Sequence, residues 1–437
     1  MLNYSLMSFR FCFFRIALVA GLILTLACTA RAAVSLGIDE LEKTDFAVLK
    51  GKRVGLVTNP SGADSKGRSA ISVLYHGSGY HLVKLFGPEH GIDGKTGAGK
   101  DVNNGRDPLT HLPVYALYNG SQGDHRHPTP QMFAGLDVVV YDVQDLGCRS
   151  YTFISTLGYV MDEAAKDNVQ VIVLDRPNPL GGVRIEGPGL DPSAKSFVGL
   201  YNIPYVYGLT PGELALWINA KYLAKPCRLT IVAMKGWNRS MVWEDTGLHW
   251  IPTSPYIPTI GAARGYAATG FLGEIGIENG LSTPYPFQVI AGRYWDASAF
   301  ARRLNALHIP GVHASAYSYV DGGEYEGAYL KMDPRNAGNL TGISLQAIEI
   351  LREIVPGFSP FSRTSGDQRE MFDKVTGQAR LRHQLANGYP VSDIMQSWNS
   401  GVARWAVERQ AYLLYGSSAS TAGAPSAMAT STGNTGI

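Results

Sequence analysis

From Gly51 onward, short apolar runs alternate with longer amphipathic stretches. Arg53-Val-Gly-Leu-Val-Thr58 reads as a strand, the stretch through Ala70–Leu74 as a helix, and His81-Leu-Val-Lys-Leu-Phe86 as a second strand. That order is a β-α-β unit. The rhythm returns with Val138–Tyr141, a helical stretch over Thr156–Asn168 and Val171–Leu174. Continuous apolar strands this short need helices on both sheet faces, which predicts an α/β fold with a Rossmann-like, doubly wound parallel sheet. After Pro258 the pattern changes. Gly-rich loops run from Gly261 to Gly280, a helix is expected near Ala297–Leu307, strand-like residues over Tyr325–Met332, and helices at Leu345–Ile354 and Val391–Val407. The expectation is an N-terminal Rossmann-like domain over 33–260, a smaller C-terminal α/β domain over 261–415, and a cleft between them. Residues 416–437, rich in Ser, Ala, Thr and Gly, have too little apolar bulk to offset ordering and read as a disordered tail.

The first residues carry a different message. Arg10 and Arg15 precede or open an apolar run from Ile16 to Ala27, and small residues follow to Ala30-Arg31-Ala32. This is the layout of an export signal over 1–32, and the run is short of the roughly 20 residues that span a bilayer. A periplasmic or secreted protein, without stable membrane insertion after cleavage, is expected; a lipid anchor on Cys28 is the alternative. Cleavage would remove three arginines and no acid, moving the formal charge from +2 to −1, which excludes the basic field of a nucleic-acid binder. Cys148 and Cys227 would remain, and spacing alone cannot pair them.

Three polar loops follow apolar strands and converge on one sheet edge by topology, where such folds bind ligands. The first is Gly87-Pro-Glu-His-Gly91, where Glu89 sits past a buried strand. Partial desolvation there would raise its pKa toward general-acid use, with His90 orienting it or sharing a proton. In the second, Asp142, Gln144, Asp145, Arg149 and Tyr151 supply the mixture that grips a polyhydroxylated, carboxylate-bearing ligand, unless Asp145 and Arg149 brace the loop by pairing. In the third, Asp175, Arg176 and Asn178 either meet ligand or hold the Pro177-Asn178-Pro179 turn; Asn59, after the first strand, joins the binding candidates. Glu186 is a candidate second carboxylate, because glycoside hydrolysis usually employs two. Trp237, Trp243, Trp250 and Tyr256 are candidates for stacking on a sugar ring.

The chain lacks a Gly-x-Ser-x-Gly elbow, a complete phosphate loop, a Gly-x-Gly-x-x-Gly turn after the first strand and a His-Glu-x-x-His pair. The Asp124-His-Arg-His127 patch lies in a Pro-rich loop and reads as solvated, so no metal and no cofactor is expected. A hydrolase and a sugar-binding protein that uses the same cleft without turnover both fit these residues.

Phe86-Gly-Pro-Glu-His-Gly91, Gln144-Asp-Leu-Gly-Cys-Arg-Ser-Tyr-Thr-Phe153, Leu174-Asp-Arg-Pro-Asn-Pro179, Glu186-Gly-Pro188 and Met234-Lys-Gly-Trp237 resemble the motifs of the exo-β-N-acetylmuramidase family, from about Gly37 to Tyr415. The resemblance implies release of terminal, non-reducing N-acetylmuramic acid from peptidoglycan fragments or muropeptide sugars, without metal or nucleotide. It also implies that Glu89 is the catalytic acid. Arg149 or Arg176 would then meet the substrate's lactyl carboxylate. The run Glu278-Asn-Gly-Leu-Ser-Thr-Pro-Tyr-Pro-Phe287 departs from the family pattern, since Leu281 and Tyr285 stand where relatives tend to carry arginines.

Overall fold

The computed structural model describes residues 33–120, 126–416 and 428–431; the expected export segment and residues 124–125 of the His-containing patch lie outside them. Strands β1 (Arg53–Thr58), β2 (His81–Gly87), β3 (Gly105–Arg106), β4 (Pro113–Ala116), β5 (Val138–Asp142), β6 (Gln170–Leu174), β7 (Leu229–Val232) and an edge strand Met428–Ser431 form one sheet. Its order is edge strand, β7, β6, β5, β1, β2, β4, β3. The first strand is central. It pairs parallel with both β2 and β5, so the winding direction reverses between β1 and β5, as the doubly wound expectation requires.

Alternation along the strands sorts their side chains onto two faces. Val139, Tyr141, Val171, Val173, Leu229 and Ile231 pack with residues of helices α4 (Phe153–Lys166) and α5 (Pro211–Lys221). Val138, Val140, Ile172, Leu174 and Val232 pack on the opposite face, with α1 (Gly37–Lys43) and α2 (Ala70–His76). A short α3 (Pro130–Phe133) precedes β5. Local signals start these helices: Ser69 caps α2 by accepting from Ser72 N–H, and Thr210 with Glu213 forms a capping box on α5 behind Pro211 at its first turn.

The second sheet is antiparallel, with β10 (Glu324–Met332) between β8 (Val289–Gly292) and β9 (Val312–Val320). Its inner residues Ile290, Ala314, Ala328 and Leu330 join a separate core with α6 (Ile260–Thr269), α7 (Ala297–Ala306) and α8 (Gly342–Ile354). Two further helices, α9 (Gly366–Thr376) and α10 (Ala379–Ala386), follow. The single helix expected over Val391–Val407 is two, α11 (Val391–Ser397) and α12 (Asn399–Glu408), meeting at the buried Trp398.

The chain then returns to the first sheet. Trp405 donates its indole N–H to the carbonyl of Tyr207 at 2.8 Å, and the Tyr415 hydroxyl reaches Asp175 at 2.6 Å. From Val34 onward the chain is one compact unit, so the boundary expected near residue 260 separates two sheets that share their packing. Within the stretch read as a tail, Met428–Ser431 pairs antiparallel with β7. Cys148 and Cys227 are both buried and free.

Candidate active site

Strand β2 ends in a turn that only certain residues tolerate. A Cβ on Gly87 would lie 2.8 Å from the backbone nitrogen of Ile92, and Gly91 N–H closes the turn on Pro88 O at 2.9 Å. His90 adopts a left-handed φ of 71°, a conformation costly for a side-chain-bearing residue, and its Nδ1 lies 2.8 Å from Thr96 O. The turn thereby fixes Glu89. Its Oε1 accepts from Gly99 N–H at 2.8 Å, and its Oε2 from the Thr152 hydroxyl at 2.5 Å. Thr152 is the N-cap residue of α4, yet its hydroxyl caps no helix N–H; it is turned to the carboxyl instead. The Tyr118 hydroxyl is also beside Glu89: burial first, then this carboxylate, push the phenol well above its ordinary pKa. Glu89 is thus a buried carboxyl with a donor on each oxygen.

Glu89 and His90 open on a cavity of about 330 Å³ walled by Tyr118, Ser150, Tyr151, Thr152, Ser254 and Tyr256 from the first sheet's loops. Tyr266, Glu274, Phe287, Met371 and Val375 close it from the second region. Hydroxyls and aromatic faces dominate this lining, which suits a sugar ring with its alternating polar edge and apolar face. Glu274 stands on a short 3-10 helix, Gly273–Ile275. It is half-buried with no hydrogen-bond or ion-pair partner among the described residues, and burial raises its pKa.

Of the residues expected to bind ligand, Tyr151 alone lines this cavity, its hydroxyl donating to Thr253 at 2.7 Å. The others are spent within the fold. Asn59 accepts from Ser61 and donates to Thr253 O, Gln144 donates to Asp145 O and Pro177 O, and Asn178 donates to Leu209 O. Arg176 forks onto Asp142 at 2.5 and 2.8 Å and donates to Ala63 O. This pair stitches the switch-point crevice, where Arg176 and Gln144 line a different cavity of about 250 Å³. Asp175 accepts from Arg176 N, Gly212 N, Thr210 and Tyr415. Asp145 accepts from Gly147 N and the Tyr207 hydroxyl rather than pairing with Arg149.

Arg149 is fully buried and donates to the carbonyls of Pro188, Ile203 and Thr376 at 2.6–2.7 Å. It braces three chain segments, and neither it nor Arg176 is free to meet a lactyl carboxylate. Glu186 is likewise consumed, paired with Arg184 and accepting from Thr341 N. Of the expected stacking residues, Tyr256 reaches the cavity; Trp237 is buried against Tyr415, and Trp243 and Trp250 pack edge to face. His127 is bound to Asp162 at 2.9 Å, and no cluster of metal-ligating side chains occurs among the described residues.

A Rossmann-like sheet that presents a held carboxyl to a hydroxyl- and aromatic-lined cavity, closed by a smaller α/β layer, defines a cleft protein for polar ring ligands. Sequence comparison makes the class specific. The profile of the N-terminal region of exo-beta-N-acetylmuramidase NamZ matches residues 54–261 and that of its C-terminal region residues 264–415, and the chain belongs to this family. It is 37% identical over 388 residues to peptidoglycan beta-N-acetylmuramidase NamZ of Bacillus subtilis, covering 87% of this chain and 91% of that protein. Among solved structures it resembles a DUF1343 family protein (BF0371) of Bacteroides fragilis, with 40% identity and a TM-score of 0.82, over 88% of this chain and 100% of that one. A second B. fragilis DUF1343 protein (BF0379), 24% identical with a TM-score of 0.67 over 89% of this chain and 100% of that one, shares the fold.

Proposed function

We propose that this protein is an exo-acting glycoside hydrolase that releases terminal non-reducing N-acetylmuramic acid from peptidoglycan-derived sugars, with Glu89 as a catalytic carboxyl. The observation that carries the reading is the fixed presentation of Glu89 to the cavity, in a chain 37% identical to a peptidoglycan beta-N-acetylmuramidase. The family resemblance singles out Glu89 as a reacting carboxyl, and two donors aimed at its oxygens fix where it works. Tyrosine, serine and threonine hydroxyls around it supply partners for the sugar's hydroxyls and acetamido group, and Tyr256 and Phe287 supply ring faces. The export-type segment 1–32 supports action outside the cytoplasm, on cell-wall fragments.

The test uses chromogenic N-acetylmuraminide and N-acetylglucosaminide with protein starting at Ala33. Release from the first alone supports the proposal; release from the second alone replaces the substrate. Turnover of neither, with retained binding of muropeptide, makes the protein a binder. Glu89→Gln removes turnover by at least about 10²-fold while ligand affinity stays within a few-fold.

A further inference from the structure

Hydrolysis of a glycoside takes two proton-transfer roles, and Glu186, the second carboxyl suggested by sequence, is sealed away against Arg184 and Thr341. The described residues that line the Glu89 cavity include one other carboxyl, Glu274. The two groups are held in opposite ways. Both oxygens of Glu89 accept hydrogen bonds, from Gly99 N–H and Thr152, which is how a fold holds a proton acceptor. Glu274 receives no such donor and no neighbouring cation among the described residues, and lines the cavity from the second region with Tyr266, Phe287, Met371 and Val375. Burial without donors favours the neutral form of a carboxyl, whereas hydrogen-bond donors on its oxygens favour the carboxylate. Where two acids in one cleft are set apart in this way, their environments assign the acid and the base.

Resting on the glycosidase reading above, we propose that Glu274 is the proton donor to the departing sugar oxygen and that Glu89 is the acceptor. The bond between the anomeric carbon and the aglycone oxygen breaks, its electron pair stays with that oxygen, and the Glu274 proton completes the new hydroxyl. Water supplies the oxygen that ends on the anomeric carbon, and its proton passes to Glu89. Exchange with solvent then returns both groups to their starting states. Burial of Glu274 supports the assignment by raising its pKa. The sequence offered no sign of this role, because Glu274 comes from the second region, beyond the reach of the sheet-edge argument.

Leaving-group dependence separates the roles, because a good leaving group departs without a proton. Glu274→Gln is expected to lose about 10²-fold or more in kcat/KM on a muramyl disaccharide, yet less than about tenfold on a dinitrophenyl N-acetylmuraminide. Glu89→Gln is expected to lose heavily on both. Equal losses on both substrates with Glu274→Gln, or no loss on either, overturn the assignment while wild-type activity leaves the glycosidase reading standing. Leaving-group dependence in Glu89→Gln instead overturns it as well, making Glu89 the donor. A wild type inactive on both substrates removes the glycosidase reading and this assignment together. Glu274→Asp, which keeps the proton on a shorter arm, is expected to retain more disaccharide turnover than Glu274→Gln.

Discussion

A hydroxyl that abandons its own helix reports on what it serves. Thr152 occupies the N-cap of α4 but gives its hydrogen bond to Glu89 at 2.5 Å. A hydrogen bond to a charged group contributes about 1.5–3 kcal/mol, so Thr152→Ala is expected to lower kcat by roughly 10- to 100-fold, with Thr152→Ser close to wild type. Steady-state kinetics of the two variants check this. Asp145 illustrates a different use of burial. Its Oδ2 has no partner among the described residues, and desolvation pushes its pKa up to about 7 despite bonds from Tyr207 and Gly147. Against an unfolded value of about 3.9, the native state binds the extra proton between these pH values. The contribution of this group is therefore fully present below about pH 4 and lost as pH rises through 7, on the order of 4 kcal/mol. Urea unfolding of Asp145→Asn against wild type from pH 4.5 to 8 is expected to show this slope in the difference; parallel curves would exclude it.

At the scale of elements, the strands were readable and the roles of the loops were not. The apolar runs 53–58, 81–86, 138–141 and 171–174 fall within strands β1, β2, β5 and β6 or match them, because a strand covered on both faces must be apolar throughout. The Glu89 turn was visible in its glycines and its place after β2. Arg149 looked like a ligand contact because nothing in its neighbourhood announces three carbonyl partners at residues 188, 203 and 376. Glu274 escaped notice because its significance depends on packing between regions. The Arg149 brace reaches the last residue of α9, where a cation also meets the negative end of the helix, and Gly377 beyond it leaves room: a Cβ there would lie 2.4 Å from the guanidinium. Arg149→Met would leave those carbonyls unpaired in the interior. The expected loss is about 3 kcal/mol or more, read as a lowered denaturant midpoint.

Across the whole molecule, the chain's end decides whether the two sheets are separable. Residues after Arg404 pack on the first sheet: Trp405 on Tyr207, Glu408 on Trp217, Arg409 on the carbonyls of Gly182 and Gly208, and Tyr415 on Asp175. Leu414 N–H donates to Glu213, which is also paired with Arg239 at 2.6 Å. Ending the chain at Arg404 would strip donors from Asp175 and Glu213, both fully buried, and uncover the apolar surface beneath Trp405. Loss of a donor to a buried charged or polar group costs about 1–3 kcal/mol each, and the lost apolar burial adds several more. That sum approaches the whole stability of a typical domain. Protein spanning 33–404 is therefore expected to be insoluble or without a cooperative transition at 37 °C, although every residue of the cavity is present. Protein spanning 33–437 is expected to unfold in one calorimetric transition. Two resolved transitions, or a soluble and active 33–404 chain, would show that the smaller region folds and works without the returning segment.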